Sequence, residues 1–328
     1  LLISFWCLLS LVSLVFHARI TNWLPLILAN MAACILVCFV AYADRNRSSR
    51  TLRWAHDWAP LALVVFTYKQ VYFMVRPIHQ WKDYDRLLMA IDRWVFRINP
   101  AEWLAGFAHP WLTEVLQIAY SLFYVFFIVI GLELYIKKEP SFFRHFCFTV
   151  VYGFFISYIG YFFLPAVGPR FTLHSFSKID IELPGVLLTP ALRWFVNSWE
   201  SIPAGVSSAV ALAKAQRDVF PSGHTMMTIV VVSLAYKYGL KVRHWVCGVG
   251  VLLVLATVYL RYHYLIDLFA GALLALLCLA TSRKVFKIVG GRQRAVGSKK
   301  PSVASSWKKI LLPTEDCRLT TKSAASVR

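Results

Sequence analysis

Residues 23–43 read WLPLILANMAACILVCFVAYA, a run without an Asp, Glu, Lys, Arg or His. As a helix rising about 1.5 Å per residue, such a run spans about 30 Å, the thickness of a bilayer's hydrocarbon core. Similar runs recur on either side of it. Working outward, apolar segments fall at about 1–16, 58–76, 111–136, 145–166, 221–240, 245–262 and 264–282, so eight spans are expected. The whole chain agrees: of 328 residues, 59% are hydrophobic and 16% charged, and the mean hydropathy is +0.59. Ordinary soluble domains hold roughly 45–50% apolar and about 25% charged residues. A water-soluble fold of this make-up could not cover itself with polar surface. The sequence predicts an all-α, polytopic membrane helical bundle. A two-span N-terminal hairpin is expected over 1–57, a six-helix core over 58–289 and a tail over 290–328. Soluble Rossmann enzymes, nucleic-acid modules and disordered scaffolds are excluded, despite a formal charge of +19.

That charge has a topological explanation. In an eight-span chain one side carries Arg45, Arg47, Arg50 and Arg53, then Lys137, Lys138 and Arg144, then Lys237, Lys241 and Arg243. With the tail from Arg283 onward, this side holds 22 of the 35 Lys and Arg residues. The opposite segments, 77–110 and 167–219, are long and nearly balanced in charge. Positive residues mark the cytoplasmic side. Both termini are therefore expected in the cytoplasm, and the two long loops on the periplasmic, lumenal or extracellular face. Cys7, Cys34, Cys38, Cys147, Cys247 and Cys278 lie in or at the ends of spans, and Cys317 in the tail. They form neither a loop pair nor a CxxC, so no disulfide, metal or other cofactor is expected. Beyond Val289, Gly290-Gly291 opens a Ser-, Lys- and Arg-rich tail whose composition predicts disorder. It is either simply solvated or adherent to anionic lipid.

Between the third and fourth spans, Leu87, Leu88, Ile91, Trp94 and Val95 share one helical face, and Asp85, Arg86, Asp92 and Arg93 the other. A second short helix is expected after Asn99, with Asn99 as N-cap, Pro100 first and Glu102 third. With Trp94, Trp103 and Trp111 nearby, this stretch should lie flat at the bilayer surface, as an interfacial anchor or a substrate gate. Segment 167–219 is rich in Pro, Gly and Ser, and loops of that length are usually functional or disordered.

The chemistry-bearing residues follow. Pro221-Ser222-Gly223-His224-Thr225 begins the sixth span, and Arg261-Tyr262-His263-Tyr264-Leu265-Ile266-Asp267 lies where the seventh turns into the eighth. Topology puts His224 and His263 at one membrane depth. His263 and Asp267 are one helical turn apart and share a face. A carboxylate there can accept the imidazole Nδ1–H, leaving Nε2 as a nucleophile. Ser222 and Gly223 open a helix whose free N–H groups and positive dipole end suit an anion, and glycine permits close approach. A lone interfacial histidine, or a Ser-Gly pair at a helix start, is ordinarily structural. Together, at membrane depth, such groups point to function.

These segments resemble the second and third motifs of the type 2 phosphatidic acid phosphatase superfamily, membrane lipid phosphatases with related transferases such as the inositol phosphorylceramide synthases. The resemblance covers roughly 58–285. It implies that His263 attacks phosphorus to form a phosphohistidine, Asp267 orients it, and His224 protonates the leaving group. The family's third motif usually carries Ser-Arg where Ala256 and Thr257 stand here. Its first motif, Lys-x6-Arg-Pro, matches Lys69…Arg76-Pro77, two spans too early; at the expected place stands Gly168-Pro169-Arg170. That tripeptide, the Asp92…Pro100-x2-Trp103 stretch and the Arg-Tyr-His-Tyr run are similar to the inositol phosphorylceramide synthase branch. Arg170 is the expected main phosphate ligand and Arg261 the second, with Ser222 and Gly223 completing the anion site. Lys214 and Arg217 are either solvated or within reach of a head group.

The expected function is lipid phosphoester transfer on phospholipid or sphingolipid head groups, without metal and without nucleic acid. A polyol or other alcohol is the favoured acceptor, with Phe171, Tyr262 and Tyr264 available to stack on a ring. The alternative is a lipid phosphate phosphatase, in which water accepts. A non-catalytic transporter is more distant, because paired repeats with broken helices near mid-membrane are missing from the sequence.

Overall fold

The computed structural model describes residues 1–46, 49–137 and 140–297, with side chains as far as Val289. Arg47, Lys138, Cys317 and the tail beyond Gly297 lie outside the described residues. The chain forms α1 (Leu2–Val15), α2 (Trp23–Asn46), α3 (Arg50–Ile78), α4 (Asp85–Phe96), α5 (Pro100–Ala105), α6 (Pro110–Ser121), α7 (Phe123–Ile136) and α8 (Pro140–Tyr161). Four short helices follow in the second long loop: α9 (Pro169–Thr172), α10 (Ile179–Glu182), α11 (Thr189–Trp199) and α12 (Ser208–Lys214). The last three are α13 (Gly223–Lys237), α14 (Arg243–Tyr259) and α15 (Leu265–Gly297). Residues 290–297, expected in the tail, are thus helical: a glycine costs a helix about 1 kcal/mol but does not force a break.

Helices stand at all eight expected span positions, but not all at full length. α2, α3, α8 and Leu265–Val289 of α15 are long and apolar enough to cross a bilayer, and α6 with α7, bent by 48°, makes a fifth. α1, α13 and α14 have 14, 15 and 17 residues, short of the roughly 20 a full crossing needs. For α13 and α14 the shortening lies at the motifs. The chain before Gly223 and after Tyr259 is diverted into turns that carry the motif residues.

The unit Leu1–Phe286 packs around two apolar centres. In one, Phe126, Phe146, Met226, Met227, Val230 and Leu253 bring α7, α8, α13 and α14 together. In the other, Trp6, Leu9, Leu26, Met74 and Phe155 join α1, α2, α3 and α8. There the buried Trp6 indole donates to Thr67 Oγ1 at 2.9 Å, and Phe5 stacks on Phe155 at 4.0 Å. Between helices in a bilayer the gain comes from such packing and buried hydrogen bonds, since lipid tails are as apolar as the core. Outward-facing Leu28, Ile35, Phe39, Leu255 and Leu273 are exposed, as a lipid-facing surface requires.

α4 corrects an expectation. Its apolar Leu87, Trp94 and Val95 do point outward, as an interfacial anchor should. Its acidic residues do not face water. Asp85, Leu88 and Asp92, on one face, are buried against the protein. Asp85 accepts the Gly168 N–H at 2.8 Å, the Val167 N–H at 3.1 Å and the Tyr264 hydroxyl at 2.8 Å. Gly168 adopts φ +90° and packs so closely on the Tyr262 carbonyl that any side chain would collide. Asn99 precedes α5 as expected, but its amide donates to Glu102 rather than capping an N–H. The second loop is likewise tied down. Buried Glu114 accepts the N–H groups of Val186, Leu187, Leu188 and Thr189 together with the Thr189 hydroxyl.

Candidate active site

Ser222 caps α13, its buried hydroxyl accepting the Thr225 N–H at 3.2 Å. Gly223 is needed here for packing: a β-carbon would overlap the Tyr161 hydroxyl of α8. Among the described residues, the N–H groups of Gly223 and His224 carry no hydrogen bond. They are the free donors that a helix start offers an anion.

The chain reverses at the end of α14. Arg261 sits in the left-handed region at φ 69°, which costs a non-glycine residue about 1–2 kcal/mol. Tyr262 N–H donates to Thr257 O at 2.9 Å and Arg261 N–H to Val258 O at 3.0 Å, closing a Schellman turn. His263 N–H also donates to Thr257 O, at 3.0 Å. At the start of α15, Tyr264 N–H donates to Asp267 Oδ2 at 2.8 Å, and Leu265 and Ile266 N–H donate to Asp92 at 2.9 and 2.8 Å. Carboxylates thus occupy the α15 start, whereas the α13 start is open. Burial pushes the Asp85 and Asp92 carboxyls above the usual range, and the donors they accept pull them back.

The two histidines meet. His263 Nε2 lies 3.4 Å from His224 Nδ1, and Asp267 O accepts the Ser222 N–H at 3.0 Å, fixing one motif to the other. The expected orienter is displaced. His263 Nδ1 lies 2.8 Å from the Val219 carbonyl and 3.4 Å from Asp267 Oδ2, whose bond goes to Tyr264 N–H. A carbonyl only accepts, so Nδ1 carries the proton and Nε2 of the neutral ring keeps its lone pair. His224 stacks on Tyr120 at 4.7 Å, and Tyr120 on Tyr262 at 4.4 Å. The Arg170 guanidinium follows, 4.7 Å from the Tyr262 ring.

Of the expected phosphate ligands, Arg170 is buried beside this stack, with its guanidinium on Glu200 and Asn197. Arg261 is turned to Glu182. Arg217 is held by Asp83 and the Leu212 and Ala215 carbonyls, and Lys214 is exposed. Lys69, two spans too early in sequence, reaches the second loop at Trp199 O and Ser201, and Arg76 reaches Ala213 O. Phe171 stacks on Phe176 at 4.9 Å, and the Tyr264 hydroxyl lies 2.7 Å from Thr172 Oγ1. Sequence reasoning missed the Val219 carbonyl, Tyr120, Glu200, and Asp218 with its 2.6 Å bond from Tyr68. Asp218 had a signal, a carboxylate three residues before Pro221. The others had none.

A family model described as the PAP2 superfamily matches residues 86–281. The chain belongs to the PAP2 superfamily. No curated protein and no solved structure matches it. Both histidines, both buried α4 carboxylates' partners and the whole second loop lie inside the PAP2 match; α1–α3, with Tyr68 and Lys69, lie outside it. PAP2 membership supports a phosphatase-type enzyme acting on lipid phosphates in a membrane.

Proposed function

We propose that this PAP2 protein transfers a lipid phosphoester through a phosphohistidine on His263, as an inositol phosphorylceramide synthase-like phosphotransferase with an alcohol acceptor. The observation that carries the reading is the histidine pair, with Nδ1 of His263 tied to a carbonyl and Nε2 facing His224. Nε2 attacks phosphorus, and the bond from phosphorus to the leaving oxygen breaks. His224 gives its proton to that oxygen, then takes one from the acceptor hydroxyl, which attacks the phosphohistidine and frees His263. The free N–H groups of Gly223 and His224, with Ser222, bind the charge that spreads over the equatorial oxygens. Arg170 joins them by exchanging Glu200 for the phosphate, and Arg261, in the turn between α14 and α15, is held by Glu182 of the second loop. Asp267 acts by positioning, through Tyr264 N–H and Ser222 N–H. Val196, Trp199 and Glu200 of the second loop flank the space beside His224, a cover that shields the phosphohistidine from bulk water. The Lys and Arg bias of the loops supports a non-cytoplasmic face for the site.

Product partitioning tests this. Purified protein with labelled phosphatidic acid at saturating acceptors, inositol included, should yield an acceptor-dependent phosphate ester. Exclusive release of free phosphate across the panel would reject transfer and leave a lipid phosphatase.

A further inference from the structure

A cavity of about 400 Å³ starts at His224 and runs between α3, α7 and α8. Asp218 and Tyr68 share its polar end with His224. Beyond them the walls are apolar, with Leu61 and Val65 on one side and Phe127 and Phe154 on the other, as far as Trp58 and Trp54. Those two tryptophans close it. Trp58 meets Phe143 at 5.3 Å and Tyr135 at 6.1 Å, and Gly131 packs beneath its ring. The flank is open, since Trp54, Ile128 and Tyr124 are 53, 52 and 37% exposed.

The dimensions select an occupant. Tyr68 and Trp54 are fourteen residues apart on one helix, or about 21 Å at about 1.5 Å per residue. Carbons bonded at about 1.5 Å with angles near 111° advance about 1.25 Å each, so this length matches an extended chain of about sixteen carbons. The volume holds about thirteen groups of water size, at about 30 Å³ each, so it takes most of such a chain and the open flank the remainder. That is one chain, not two. Between Tyr68 and the tryptophans, Leu61, Val65, Phe127 and Phe154 offer a polar head group no side-chain hydrogen-bonding partner.

We infer that this cavity seats a single extended alkyl chain of the lipid substrate, its phosphate at the histidine pair, and that Trp54 and Trp58 set the longest chain accepted. The inference rests on the phosphotransfer reading and deepens it by naming the chain. It also assigns a task to α3, which lies outside the PAP2 match. The chain enters sideways past Tyr124 and Ile128, without leaving the bilayer.

The test uses the full chain in lipid nanodiscs, with phosphatidic acids whose one varied chain runs from eight to twenty-two carbons. Wild type should favour about sixteen carbons. Leu61→Trp, halfway along, should lower kcat/KM for sixteen carbons by about tenfold or more and spare the eight-carbon lipid, while Trp58→Ala should shift the optimum upward. Unchanged chain profiles in two active variants would overturn the inference while leaving the reaction intact. A second readout needs no turnover. Hexadecyl phosphate with a diazirine at its methyl end should label peptides around Trp54 and Trp58, in His263→Ala protein as in wild type, and excess hexadecyl phosphate should compete. Labelling with no turnover of any lipid would reject the reaction and keep the chain site. Labelling confined to outward faces such as Leu28 and Ile35 would reject the chain site.

Discussion

His263 Nδ1 has a carbonyl at 2.8 Å and a carboxylate oxygen at 3.4 Å, and the carbonyl is the better hydrogen-bond partner. The consequence is chemical. A backbone carbonyl cannot donate, so the tautomer is held whatever the ionisation of Asp267. His263→Ala should therefore abolish turnover by several orders of magnitude, measured with any lipid phosphate that wild type consumes. Asp267→Asn should cost less, because an amide oxygen still accepts the Tyr264 N–H. His224→Ala should lose most with poor leaving groups and least with good ones, since protonation matters less for the latter. Equal losses on both would remove His224 from the acid role. Arg261 at φ 69° belongs to the same logic: the strained reversal brings the next-but-one residue back toward α13.

α4 shows at the scale of an element what a sequence can and cannot tell. Its outward Leu87, Trp94 and Val95 were legible, but the grouping of its faces was not: Leu88 is buried beside Asp85 and Asp92, and Arg86 and Arg93 are exposed. That its acidic face meets protein was not legible, because the donors at Leu265 and Ile266 lie more than 170 residues away and leave no trace in periodicity. The same holds for the Arg170–Glu200 and Arg261–Glu182 pairs, and for the Val219 carbonyl, which is backbone and has no residue signature. Helix positions were legible because apolar runs are local; the shortening of α13 and α14 was not, because it comes from turns that tertiary packing dictates. Asp92→Ala should destabilise the protein by about 1–3 kcal/mol, the usual cost of orphaned buried donors. Thermal unfolding in detergent measures it, and Asp92→Asn should fall between. Glu182 responds to pH. Burial raises its carboxyl, but Arg261 and His174 outweigh burial and hold it below the ordinary value. Its contribution is therefore present above the usual glutamate pKa of about 4.3 and lost as pH falls through the depressed folded value. The melting temperatures of wild type and Glu182→Gln should differ at pH 7 and converge in acid. A gap that widened in acid would overturn the assignment.

On the scale of the whole molecule, topology is the open quantity that one experiment decides. In a background without native cysteines, Ser177→Cys, exposed in the second loop, should react with a membrane-impermeant maleimide from outside the cell or from the lumen. Asn46→Cys, exposed at the end of α2, should react only after the membrane is opened. The reverse pattern would turn the protein over in the bilayer.

The ties from α4 to α15 also bear on how the protein is made. Chains emerge N-terminus first, so Asp85 and Asp92 are synthesised long before Tyr264, Leu265 and Ile266, their donors in the finished protein. Until α15 inserts, Asp92 lacks its donors among the described residues and Asp85 lacks its tyrosine. A nascent chain that stalls or is cut before Leu265 would present these carboxylates to the translocation machinery as unmatched charge. A ribosome that completes α15 withdraws that mark. Completion of the candidate site therefore waits on the start of α15, the segment that carries both His263's neighbours and the donors to α4.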